Sequence, residues 1–221
     1  MTDSSALERA LPQRPLLRGM FHLPAAVAAI AGTVLLLLLA DSARAYAGAA
    51  IFGASLILLY TTSAAYHRIP WSPRLRGIAR RLDHAMIFTL IAGTYTPLGL
   101  LVLNTAWWIS MLSVVWGLAG AGIIMKLAWP GAPKWLSVLM YATIGWLALV
   151  TAPLLVSWLT AGPLALLLLG GLLYTLGGVV YAIGKPSPYP RVFGYHEVFH
   201  VLVIAGSVLH FSLVAFYLLP G

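Results

Sequence analysis

LPAAVAAIAGTVLLLLLAD, residues 23–41, carries no charge until Asp41 closes it. A bilayer core about 30 Å thick takes roughly 20 apolar residues of α-helix, so this stretch is long enough to cross. Six more runs of the same kind follow, at about 46–66, 84–103, 106–128, 135–158, 163–183 and 197–219. The breaks between them carry turn and charge signals: DSAR at 41–44, RIPWSPRLRGIARRLD at 68–83, LNTA at 103–106, KLAWPGAPK at 126–134, TAGP at 160–163 and KPSPYPRVFGY at 185–195. The 221 residues are 61% hydrophobic and 8% charged, where soluble domains average about 25% charged. The chain therefore reads as an all-α integral membrane protein, with seven transmembrane helices in residues 23–221 after a cytoplasmic N-terminal tail, 1–22. That tail lacks the basic-then-apolar layout and small-residue cleavage site of a secretory signal, so it reads as retained.

Lysine and arginine give the orientation. Arg9, Arg14 and Arg18 precede the first span; Arg68, Arg74, Arg76, Arg80 and Arg81 lie in the second loop, Lys126 and Lys134 in the fourth, Lys185 and Arg191 in the sixth. Twelve of the 13 basic residues thus fall on one side and Arg44 alone on the other. The positive-inside rule then puts the N-terminus in the cytoplasm and the C-terminus outside, in a multi-pass protein expected in the plasma membrane. Topology accounts for the net charge of +8, so no nucleic-acid partner is implied. With no cysteine in the chain, disulfides, thiolate catalysis and Cys-ligated zinc are excluded, and any metal must be held by histidine and oxygen.

Polar residues collect at one end of the spans. The second ends in TTSAAYH, with Ser63 and His67; the third opens with LDHAM, with Asp83 and His84; the seventh opens with HEVFH, residues 196–200. All lie on the expected cytoplasmic side. Ser63 and His67 are four apart, as are His196 and His200, so each pair occupies one helix face a turn apart. Two histidines so placed can share a metal ion; a catalytic zinc takes a third protein ligand and leaves a fourth position open. His210 is ten residues beyond His200, about 15 Å along the helix, and cannot reach the same ion. His67 is the best-placed third ligand, with Asp83 as a carboxylate that ligates directly or holds a bound water. Charged groups inside a bilayer cost about 2.5–3.5 kcal/mol each at a span centre, so several in one layer point to function. Simpler readings apply to some of them singly. Ser63 can bond its own helix carbonyl, His84 can face the headgroups, and His22 and His210 read as structural. Trp71, Trp107, Trp108, Trp129 and Trp135 sit at span ends, where an aromatic belt is expected.

H-E-x-x-H is also the helix motif of zinc metalloproteases, in which the glutamate, here Glu197, is the general base. Against that reading, no further histidine or carboxylate follows at a protease spacing. S-A-A-Y-H at 63–67, Asp83 in R-L-D-H, and H-E-V-F-H-V-L-V-I-A-G-S-V-L-H-F at 196–211 together resemble the progestin and adipoQ receptor family, in its bacterial hemolysin III branch. The resemblance spans nearly the whole chain. It implies seven spans with the N-terminus inside, and Zn2+ between them near the cytoplasmic face on His67, His196 and His200. It further implies Asp83 around the bound water with Ser63 adjacent, so that Asp83 and Ser63 are the candidate catalytic groups. Animal members often have glutamine where this chain has Glu197, which leaves no required role for that carboxylate. Likeness to the alkaline ceramidases implies a membrane lipid as substrate and hydrolysis of its amide or ester bond, with an effect on membrane lipid homeostasis. The alternatives are a non-enzymatic sensor or regulator with structural zinc, and a cytolytic pore, which the lack of a polar stripe along the spans disfavours.

Overall fold

The computed structural model describes residues 15–129 and 131–219. Among them, seven helices are long and apolar enough to cross a membrane: α1 His22–Leu39, α2 Ala43–Arg68, α3 Pro73–Val102, α4 Thr105–Ala128, α5 Lys134–Trp158, α6 Ala161–Ile183 and α7 Tyr195–Leu218. No strand occurs among the described residues beyond an isolated bridge between Tyr189 and Phe193. Local chemistry sets several boundaries. Ser42 Oγ accepts from the Ala45 N–H at the start of α2, and Asn104 Oδ1 accepts from the Trp107 N–H at the start of α4. Gly184, at φ +73°, closes α6 in the left-handed conformation that glycine adopts without a Cβ clash.

α3 begins eleven residues before the apolar run that predicted it. Pro73 stands in its first turn, where the missing N–H costs nothing and the fixed φ suits a helix. The arginines at 74–81 are therefore a helical extension of α3 and not a loop; their polarity marks where the apolar span ends, not where the helix ends. α5 departs in the opposite sense. It is α-helical over Lys134–Gly145, 3₁₀ over Trp146–Thr151 and α-helical again over Ala152–Trp158. Pro153 has no N–H to continue the ladder. The Tyr95 hydroxyl fills the break: it lies 2.6 Å from the Gly145 carbonyl oxygen and 3.0 Å from that of Ile144, and it accepts from the Ala148 N–H at 2.8 Å. Backbone groups freed inside a span must be satisfied by protein in this way.

Burial ranks the helices. In their most apolar stretches 61% of α3, 56% of α2 and 44% of α7 is buried, against 17% of α5 and 11% of α6. α2, α3 and α7 are thus the protein-facing elements, and they are the three that carry the polar layer. The outer faces present large apolar side chains such as Leu38, Ile124, Val150 and Val208, as a helix bundle in lipid requires.

Of the expected N-terminal tail, residues 1–14 lie outside the described residues. From Pro15 to Phe21 the chain turns back on the bundle: the Leu16 and Leu17 N–H groups donate to the Arg191 and Val192 carbonyls, in the connection between α6 and α7. Gly19 makes this possible. It has φ +73°, and a Cβ there would lie 2.2 Å from the His67 Cβ.

Candidate metal centre

The last turns of α2, the early part of α3 and the first turns of α7 meet at the basic end of the bundle. His67, His196 and His200 converge there, each offering one ring nitrogen, with the three nitrogens within 4.8 Å of one another. The four-residue spacing on α7 stacks His196 and His200 on one face, with ring centroids 4.5 Å apart, and His67 enters from α2. His67 Nε2 and His196 Nε2 stand 3.1 Å apart. A tetrahedral ion with metal–nitrogen bonds of about 2.0–2.1 Å holds its nitrogens about 3.3 Å apart, so this pair needs almost no adjustment. His200 is 1% exposed and its Nδ1 has no hydrogen-bond partner, an uncommon state for a buried imidazole. Three converging imidazoles in an apolar surround fit a metal ion, and the donor type suits zinc, copper, iron or nickel.

Asp83 and Ser63 adjoin this triad without belonging to it. Asp83 is buried, its Oδ2 4.0 Å from His67 Nε2 and 3.8 Å from His84 Nδ1, and it lines the same small cavity as Ser63. Asp83 thus stands beside the group of three nitrogens without being one of its members. A cavity of about 30 Å³, large enough for a water molecule, is lined by Ser63, Asp83, His84, His196 and His200.

Two neighbours differ from their simplest readings. His84 turns inward instead of to the headgroups: its Nδ1 donates to the Arg80 carbonyl at 2.7 Å, and the Tyr181 hydroxyl donates to its Nε2 at 2.9 Å. His22, at the first residue of α1, is 3% exposed and stacks on His200 with centroids 3.8 Å apart and planes 19° apart. No periodicity links His22 to the other histidines; the turn at 15–21 brings it in. The only clue in the sequence is a histidine at the same end of the spans as the others.

Glu197 is fully buried and both its oxygens are engaged. Oε2 accepts from the Gly194 N–H at 2.8 Å, capping α7, and Oε1 lies 2.6 Å from Arg18 Nε. The carboxylate holds the start of α7 and the 15–21 turn together, which is incompatible with a protease-like general base. His210 lies outside the triad, with Nε2 donating to the Leu167 carbonyl at 3.2 Å; Gly170 makes room for it, since a Cβ there would fall 2.6 Å from that nitrogen.

Beyond the small cavity, an apolar chamber of about 460 Å³ opens between α3, α5, α6 and α7. It shares Leu59, Ile87, Val138, Tyr141, Phe199 and Val203 with the small cavity and is flanked by the broken part of α5. On the other side of the triad lies a polar vestibule of about 430 Å³, whose walls include His67, His84 and His196.

A family model described as haemolysin-III related matches residues 11–211. The chain is 36% identical over 167 residues to the Hemolysin-3 homolog of Bacillus subtilis (strain 168), covering 76% of this chain and 75% of that protein. It is 31% identical over 223 residues to Hemolysin-3 of Bacillus cereus, covering 100% and 99%. It is 28% identical over 204 residues to the human monocyte to macrophage differentiation factor, covering 87% and 79%. A match that runs through all seven helices and the three converging histidines identifies the chain as a multi-pass membrane protein of the haemolysin III family.

Proposed function

We propose that this protein is a zinc-dependent hydrolase of lipid amide or ester bonds in the plasma membrane, acting on membrane lipid composition. The observation that carries this reading is three converging histidines and a separate carboxylate beside a water-sized cavity that shares walls with an apolar chamber of about 460 Å³. His67, His196 and His200 would hold the zinc. Zinc in such a site supplies a Lewis acid for a carbonyl oxygen. Three protein ligands among the described residues, not four, favour a catalytic site over a structural one, which protein groups close completely.

The remaining chemistry belongs to the chain. The apolar chamber takes an acyl chain entering sideways from the bilayer, through the sparsely buried α5 and α6. Asp83 accepts the proton of the attacking water as the new bond to the carbonyl carbon forms, and returns it to the amine or alcohol that leaves as the old bond breaks. Ser63, whose hydroxyl is buried in the same small cavity as Asp83, would orient the water there. Tyr181, through His84, fixes the opposite wall. The positive-inside rule puts this layer at the cytoplasmic face.

Purified protein is to be assayed for metal content and for fatty-acid release from a panel of ceramides and acyl amides. Zinc is expected to be retained by Asp83→Asn while turnover falls about 10²–10⁴-fold, the usual size of a lost general base. Equal zinc in wild type, His67→Ala and His196→Ala would overturn the ligand assignment. Absence of turnover across the panel would move the reading to a non-enzymatic regulator.

A further inference from the structure

Among the described residues, the vestibule above the triad is lined by six cationic side chains and no carboxylate: Arg18, Arg76, Arg80, Arg81, Lys126 and Lys134. They come from four separate parts of the chain, namely the turn before α1, the extension of α3, the end of α4 and the start of α5. Topology requires positive charge at one end of the bundle, but it does not require the charges to face one cavity. Arg68 and Arg74, at the same end, are exposed and line no part of it.

Protein contacts hold several of these cations in place. Arg81 donates to the Leu127 carbonyl at 3.1 Å, the Lys134 ammonium lies over the rings of Tyr181 and Tyr195 at 5.2 and 5.6 Å, and the Arg76 guanidinium lies 5.9 Å from the Tyr66 ring. Arg18 alone of the six has a carboxylate partner among the described residues, Glu197. Arg81 Nε is buried with no hydrogen-bond partner. Arg76 and Arg80 stand four apart on α3, a like-charge spacing that weakens a helix, and His84 continues that face at the next turn. A set of mutually repelling cations held around one cavity matches a multiply charged anion, and arginine pairs match the oxygen geometry of phosphate in particular.

We infer that the vestibule is a phosphate-binding subsite, and that the lipid whose chain occupies the apolar chamber carries a phosphate-bearing headgroup. The phosphate then sits on Arg76, Arg80, Arg81, Lys126 and Lys134, the apolar chain lies beyond the triad, and the bond between them crosses the His67–His196 floor. The lipid half of this assignment rests on the hydrolase reading; the phosphate half rests on the vestibule alone.

The test is binding by the intact, metal-loaded protein in non-ionic detergent, followed by calorimetry and by tryptophan-monitored melting. Three probes are compared: a short-chain diacylglycerol phosphate, the same diacylglycerol without phosphate, and inorganic phosphate. The phosphorylated lipid is expected to bind at least about tenfold more tightly than either of the others, and to weaken with added salt as exposed ion pairing does. Arg76→Gln/Arg80→Gln and Lys126→Gln/Lys134→Gln are each expected to lose about tenfold or more of that affinity, while Arg68→Gln/Arg74→Gln keeps it. Two double variants on different helices are used so that one failing to fold leaves the other to decide. Equal binding of the neutral lipid, or full affinity in the folded double variants, overturns the proposal. Inorganic phosphate binding as tightly as the lipid phosphate overturns the lipid assignment and makes the ligand a soluble phosphate. Retained binding in a protein that hydrolyses none of the lipids defeats the hydrolase reading and leaves the subsite standing.

Discussion

His22 and Glu197 have opposite fates at the level of single residues. His22 reads as a border residue of the first span, yet it stacks on His200 and closes one side of the candidate metal centre. It meets the triad as an outer support, and groups of that kind change metal affinity about 10–100-fold when removed. His22→Ala is therefore expected to weaken metal binding by about that factor, measured by competition with a chromophoric chelator, while His22→Phe, which keeps a flat ring against His200, recovers most of it. Unchanged affinity in His22→Ala would remove His22 from the site. Glu197 attracts attention through the protease-like motif, but its contacts are to Gly194 and Arg18. Glu197→Gln keeps the amide oxygen for the Gly194 N–H and loses the charge beside Arg18, at a cost of about 2 kcal/mol in stability. Its metal content is expected to equal that of wild type. A loss of metal or of all turnover, with stability intact, would restore a chemical role to this residue. The triad was legible because four-residue spacing is a helical signal and histidine is conspicuous among apolar residues. The partners of His22 and Glu197 were not, because they depend on how residues 15–21 fold back, which no spacing encodes.

Helices show the same division between pattern and context. Hydropathy located all seven spans, but it placed the start of α3 at the end of the arginine run instead of at Pro73, because hydropathy registers the lipid boundary and helix propensity does not change there. Within α5 it predicted one uninterrupted helix, since Gly145, Pro153 and the residues between them are apolar enough to hide the break. The break depends on Tyr95, fifty residues earlier, whose hydroxyl satisfies the backbone on both sides of it. Tyr95→Phe leaves the Ala148 N–H and the Gly145 carbonyl without that partner inside the bundle, and each buried unsatisfied group costs about 1–3 kcal/mol. The variant is expected to melt earlier in detergent and, because Tyr95, Gly145 and Trp146 line the apolar chamber, to lose affinity for a lipid chain more than for metal. A melting temperature equal to that of wild type would mean that the 3₁₀ turn is maintained without the tyrosine.

For the whole molecule, the arrangement of charge and site fixes what can reach the metal centre. Seven helices long enough to cross put the start of α1 and the end of α7 at opposite faces of a membrane if each crosses once. Since the vestibule opens at the end carrying Arg76, Arg80, Lys126 and Lys134, the positive-inside rule predicts that this end faces the cytoplasm. A soluble ligand would then reach the site from within the cell, and a lipid from the bilayer. The chain contains no cysteine, so single cysteines report this orientation without background. Thr160, between α5 and α6, and Lys185, between α6 and α7, are both exposed and at opposite ends of α6. Thr160→Cys is expected to react with a membrane-impermeant maleimide in intact cells, whereas Lys185→Cys is expected to react only after the membrane is opened. The reverse pattern would place the vestibule outside. It would also change the source of any soluble phosphate in the binding experiment from the cytoplasm to the external medium, while the side-chain geometry of the subsite would be unchanged.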